Sequence, residues 1–174
     1  MEDVSTPENL QEQLMMAFKF DEEDLLSNRK GKLSARQKKK MLQFAIMSIA
    51  FGGTLFLGSV LFPIFLIPEP GKMASLLMVG SLAMMALLFS IYLFWMYWQT
   101  YKSGIVVRLH GKASVEHEGG KPVLRIDGET IALSSDLSWL FDNDNVYNVY
   151  YSYSAKQLMS IEIDKRKSTS HRPY

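Results

Sequence analysis

Few residues in this chain are of types that do chemistry. It has no cysteine, which removes disulfides, thiolate nucleophiles and cysteine-ligated zinc or iron–sulfur centres. His110 and His117, with Glu116 and Glu118 around the second, are side chains of ligand type. Zinc, however, asks for cysteines or for histidines one helical turn apart, and these lie on an alternating strand and the loop after it, where solvent-facing histidine is the expectation. Asp142 and Asp144 open like a calcium loop, but Val146 stands at the third ligand position and no glycine follows it. Gly31-Lys32 followed by Ser34 has the end of a phosphate loop without its upstream glycine or the preceding strand. No Ser/His/Asp set or carboxylate pair has a geometric warrant. The sequence is therefore expected to be non-catalytic, with no cofactor and no metal.

What remains is charge and hydropathy, and both are strongly segregated. Formal net charge is only +1, yet residues 1–28 hold eight acids against Lys19, while residues 29–40 hold Arg29, Lys30, Lys32, Arg36, Lys38, Lys39 and Lys40 and no acid. Directly after this collar the chain turns apolar. Residues 42–67 and 74–98 are two runs long enough to cross a hydrocarbon slab of about 30 Å, and neither contains an ionisable Asp, Glu, Lys, Arg or His. A cleaved secretory signal would be shorter and would end in small residues. Pro68-Glu69-Pro70-Gly71 between the runs predicts a tight connection and an antiparallel hairpin. The collar before the first span, with Lys102 and Arg108 after the second, predicts that the N- and C-termini are both cytoplasmic. The collar is expected to set topology and to contact membrane lipids. Tyr92, Trp95, Tyr97, Trp98 and Tyr101 read as an interfacial aromatic belt. Without a charge inside the membrane, transport by this chain alone is not expected.

Small residues four apart, Ser48 and Gly52 in the first span and Ala86 and Ser90 in the second, allow close helix approach. Packing within the hairpin is the simpler use of these faces, and a homo-oligomer the other.

The elements outside the membrane follow from periodicity. Thr6-Pro7-Glu8 is a helix start, and Leu10, Leu14 and Phe18 form an apolar stripe on a short, acidic amphipathic helix. Such a stripe is a poor lipid binder, so it must pack on protein, either this chain's own β region or another subunit. A second short turn over 21–29 precedes Ser34-Ala35-Arg36-Gln37, a capping box that starts the first membrane helix. From residue 104 the period becomes two. Strands are predicted over 105–116, with a bulge at Gly111, over 123–126 and 130–133 around the Asp127-Gly128 turn, and over 146–153 and 157–163, with a short helix at 137–141. This β-β-β-α-β-β order resembles a small five-stranded OB-type barrel, a likeness that carries no function.

The expected organisation is an N-terminal segment at 1–33, a two-helix transmembrane hairpin at 34–101, a soluble cytoplasmic β domain at 104–164 able to fold alone, and a basic tail at 165–174. Acids outnumber bases over 104–164, which argues against nucleic acid as a partner. The expected function is an accessory, scaffold or assembly subunit of a membrane protein complex, docking through Leu10, Leu14, Phe18 and Tyr150. The alternative is a membrane-anchored sensor whose β domain binds a small ligand or lipid headgroup.

Overall fold

The computed structural model describes residues 7–66, 69–133, 135–141 and 145–164. The chain forms two compact units, one built from Met1–Gln37 with Gly104–Tyr174 and the other from Lys38–Ser103. Among the described residues there are four α-helices, where a hairpin and one amphipathic helix would make three. They are α1 (Pro7–Phe18), α2 (Glu22–Arg29), α3 (Ala35–Leu66) and α4 (Glu69–Ser103). The stretch expected as a turn over 21–29 is the full helix α2. Asp21 caps it reciprocally with Asp24, and three acids in its first turn face the positive end of the helix dipole. The Thr6 cap expected for α1 lies outside the described residues.

Helix α3 starts as its capping box predicts. The Ser34 amide donates to Gln37 Oε1 at 3.2 Å, and the Gln37 amide to Ser34 Oγ at 3.1 Å. Helix α4 begins earlier than expected, at Glu69, because a proline in the first turn lacks only a donor that has no partner there. Both helices are long and apolar enough to cross a membrane, over Ala35–Leu61 and Leu77–Ser103, with 11% of each most apolar window covered by protein. A soluble core helix would be mostly covered, so these surfaces call for an apolar surrounding. Within this unit Phe44 meets Tyr97 at 5.5 Å between ring centroids. Gly52 lies so close to Ser90 that a Cβ there would overlap the serine side chain. Two of the four small residues thus pack the hairpin against itself.

The other unit is built on a five-stranded antiparallel sheet in the order β3-β2-β1-β4-β5. Its strands are β1 (Val107–Glu118), β2 (Lys121–Ile126), β3 (Glu129–Ala132), β4 (Val146–Ser152) and β5 (Gln157–Ile163). Asp127 and Gly128 both have positive φ, 51° and 78°, as the predicted turn requires. Gly111 is not a bulge. It pairs with Tyr147 within the β1–β4 ladder (Val107 to Lys112), just before β1 passes at Ala113 to pairing with β2 (Ala113 to Glu118). The irregularity falls instead between Tyr150 and Tyr151 on β4, where the register with β5 shifts. The helix expected at 137–141 is a single 3-10 turn, Ser138–Leu140.

The expected barrel does not close: the sheet is open, with no ladder between β3 and β5. A physical reason is visible at the β5 edge, where side chains take the place of a neighbouring strand. Gln11 Nε2 donates to the Ile161 carbonyl and Gln11 Oε1 accepts from the Ile163 amide, both at 3.1 Å. Gln37 Nε2 donates to the Met159 carbonyl at 3.1 Å. An edge strand whose polar groups are satisfied in this way no longer invites another strand. The core is likewise shared between distant segments. Leu14 of α1 is 0% exposed and packs with Phe20 among Leu109, Leu124, Ile131, Tyr147, Val149 and Ile161. Burying a leucine fully contributes about 2 kcal/mol, so α1 is part of this core and not an appendage.

Candidate functional site

Strands β4 and β5 alternate between two faces. Tyr147, Val149, Tyr151, Ile161 and Ile163 point into the core, which puts Asn148, Tyr150, Ser160 and Glu162 on the opposite face. Register sets Arg108 of β1 beside Tyr150, and His110 beside Asn148. Helix α2 covers part of this polar face, with Asn28 Nδ2 donating to Ser160 Oγ at 2.7 Å. Between the sheet and the helices runs a cleft of about 660 Å³. Gln11 and Met15 of α1 and Glu22, Leu25 and Arg29 of α2 form its walls. Arg108, Asn148, Tyr150 and Glu162 form its floor, and Ile163 and Asp164 close it.

Glu162 is the hub. Its Oε2 accepts from Arg29 Nε at 2.8 Å and Nη2 at 2.5 Å, and its Oε1 accepts from the Tyr150 hydroxyl at 2.7 Å and Asn148 Nδ2 at 3.2 Å. Four donors thus fill the positions a carboxylate offers. The hydrogen bond to Glu162 holds the Arg29 guanidinium above its ordinary value. Burial, and then the hydrogen bond to Glu162, push the Tyr150 phenol well above its own. Asn148 turns its amide oxygen the other way, accepting from Arg108 Nε and Nη2 at 3.1 and 2.7 Å. His110 Nδ1 lies 2.8 Å from the same oxygen, an arrangement that suits a proton on Nδ1. Arg108 is therefore aimed by a neutral amide, whereas Arg29 is ion-paired.

The expected docking residues take different places. Leu14 is core, and Leu10 and Phe18 are packed against it, so this stripe is covered by the chain's own sheet. Tyr150 is 1% exposed and reaches the cleft floor. The collar divides. Arg29 binds Glu162, and Arg36 pairs with Asp24 and Asp21, with Ser34 Oγ also donating to Asp24. Lys30, Lys32, Lys38, Lys39 and Lys40 are exposed. His117 lies 3.3 Å from Asp136, and no cluster of three metal-ligating side chains occurs among the described residues. Asp142 and Asp144 lie outside them.

Sequence reasoning read Arg108 only as a topology cation and did not single out Asn148 or Glu162. Their signal was alternation of polar residues on two strands, which also describes a solvated face. No family model, no curated protein and no solved structure matches this chain.

Proposed function

We propose that this chain is a membrane-anchored accessory subunit: α3 and α4 span a bilayer as a hairpin, and the sheet unit recognises a membrane protein partner from the cytoplasmic side. The observation that carries this reading is the Glu162 hub. A general acid or base needs a position open to the substrate's proton, and all four of Glu162's are filled by Arg29, Tyr150 and Asn148. The network supports a rigid cleft floor for recognition rather than a proton-transfer centre. Cytoplasmic placement is supported by the cation asymmetry around the spans. Arg108, oriented by a neutral partner, is the guanidinium best placed to meet an acidic side chain of the partner.

Purification in mild detergent followed by mass spectrometry tests this. The wild-type chain is expected to bring down a larger membrane protein in stoichiometric amount, and Arg108→Glu to lose it while the chain still folds. Retention by Arg108→Glu would remove the cleft from the interface. The second reading, a sensor for a small anionic ligand, is favoured by the cleft volume of about 660 Å³, within the range of small-molecule pockets. A lone chain carrying a bound metabolite in native mass spectra would favour it.

A further inference from the structure

The seven collar cations differ in kind. All seven are exposed, but the two arginines also bind carboxylates of the sheet unit, Arg29 to Glu162 and Arg36 to Asp24, as suits a planar fork of donors. One of the lysines, Lys32, belongs to a small ribbon. The Leu33 amide donates to the Gly104 carbonyl at 2.9 Å and the Val106 amide to the Gly31 carbonyl at 3.0 Å, with Lys32 and Ile105 directly opposed in an antiparallel bridge. Directly opposed residues project to the same face. Leu33 and Val106 are buried, at 4% and 5%, whereas Ile105 is 59% exposed and its neighbour Lys32 is exposed too. The ribbon therefore shows solvent one large apolar side chain beside one cation. Lys30 stands at the C-cap of α2, the opposite end from the acids Glu22 and Glu23. In sequence the ribbon adjoins both apolar helices: Ser34 caps α3, and Ile105 follows Ser103, the last residue of α4, by two positions.

From this placement we infer that Lys30, Lys32 and Ile105 form a membrane-surface contact for anionic phospholipid headgroups, with Ile105 inserting below the phosphates that the two lysines hold. An apolar residue flanked by cations, next to membrane helices, matches an anionic interface in both charge and polarity. Glu22 and Glu23 would be repelled by the same surface, which argues for the lysine-bearing end of α2 facing it. The inference rests on α3 and α4 spanning the bilayer. It goes beyond a topology signal, which needs only the charges and makes no use of Ile105.

The chain's lack of cysteine permits a clean test. A nitroxide is attached to Ile105→Cys in the full chain, which is reconstituted in nanodiscs of phosphatidylcholine alone or of phosphatidylcholine with phosphatidylglycerol. Collisional access to oxygen and to a nickel chelate is then measured. Phosphatidylglycerol should raise the oxygen-to-nickel ratio, and Lys30→Glu with Lys32→Glu should return it to the phosphatidylcholine value, since each cation near an anionic surface is worth about fivefold in binding. Equal nickel access in both discs would overturn the proposal. Shielding from both reagents in both discs would also do so, because protein would then cover Ile105. A chain released from membranes by alkaline carbonate would overturn the spanning reading, and the proposal with it. Retention with unchanged access would overturn the proposal alone.

Discussion

At the scale of single residues, Glu162 holds three side chains from two distant parts of the chain. Glu162→Gln replaces one acceptor oxygen with a donor that must face Arg29, or Tyr150 and Asn148, so it should destabilise the fold by about 2 kcal/mol. Tyr150→Phe removes only one hydrogen bond and should cost about 1 kcal/mol. Thermal unfolding of the purified chain in mild detergent, followed by near-UV circular dichroism, ranks the two. The phenol also predicts a pH dependence. Burial and Glu162 raise the Tyr150 value above its usual 10, so above pH 10 the unfolded chain loses this proton while the folded chain keeps it. Its contribution is complete below pH 10 and is lost as pH rises toward the folded value. Wild-type stability should thus fall more steeply above pH 10 than that of Tyr150→Phe; parallel curves would show that Tyr150 is not the group involved. Tyr150 was read in the sequence as a docking residue on the strand 146–153. Its partner was not, because the pairing of Tyr150 with Ser160 depends on a register that shifts at the next residue, and single-residue register is invisible to periodicity.

At the scale of elements, caps and turns were the most legible features. Ser34 and Gln37 start α3, and Asp127-Gly128 joins β2 to β3, because each depends on neighbours in sequence. What covers an exposed stripe or an open edge depends on residues far away. Leu10, Leu14 and Phe18 were readable as an apolar stripe, but their burial by the β sheet was not, and neither was the closing of the β5 edge by Gln11 and Gln37. The small residues of the hairpin give a direct test of element packing. Gly52→Ala puts a Cβ into the space of the Ser90 side chain, an overpacking expected to destabilise by about 1–3 kcal/mol. Ser90→Gly in the same chain removes the obstructing atoms and should restore most of the loss. A double mutant as unstable as Gly52→Ala alone, measured by thermal unfolding in detergent, would mean that the two helices do not meet at these positions.

At the scale of the molecule, the apolar helices and the β region could be recognised from composition and period, but the membership of the sheet unit could not. The expectation that 104–164 folds alone leaves out Leu14 and Phe20, which are core residues, and Gln11 and Gln37, which close an edge. Joining residues 7–37 to 104–164 through a Gly/Ser linker in place of Lys38–Ser103 should give a soluble, cooperatively unfolding protein. Residues 104–164 alone should aggregate or remain molten, as read by size-exclusion chromatography and near-UV circular dichroism. Equal stability of the two would show that α1 adds nothing to the core.

A membrane hairpin carrying a cytoplasmic recognition unit, as proposed, fixes which side of the bilayer each part of the chain must face. The chain contains no cysteine, so single cysteines at Glu69, where α4 begins, and at Ser154, after β4, can be probed with an impermeant thiol reagent on intact cells. The expected result is labelling of Glu69→Cys in intact cells and of Ser154→Cys only after lysis. Labelling of Ser154→Cys in intact cells, with Glu69→Cys protected, would contradict it.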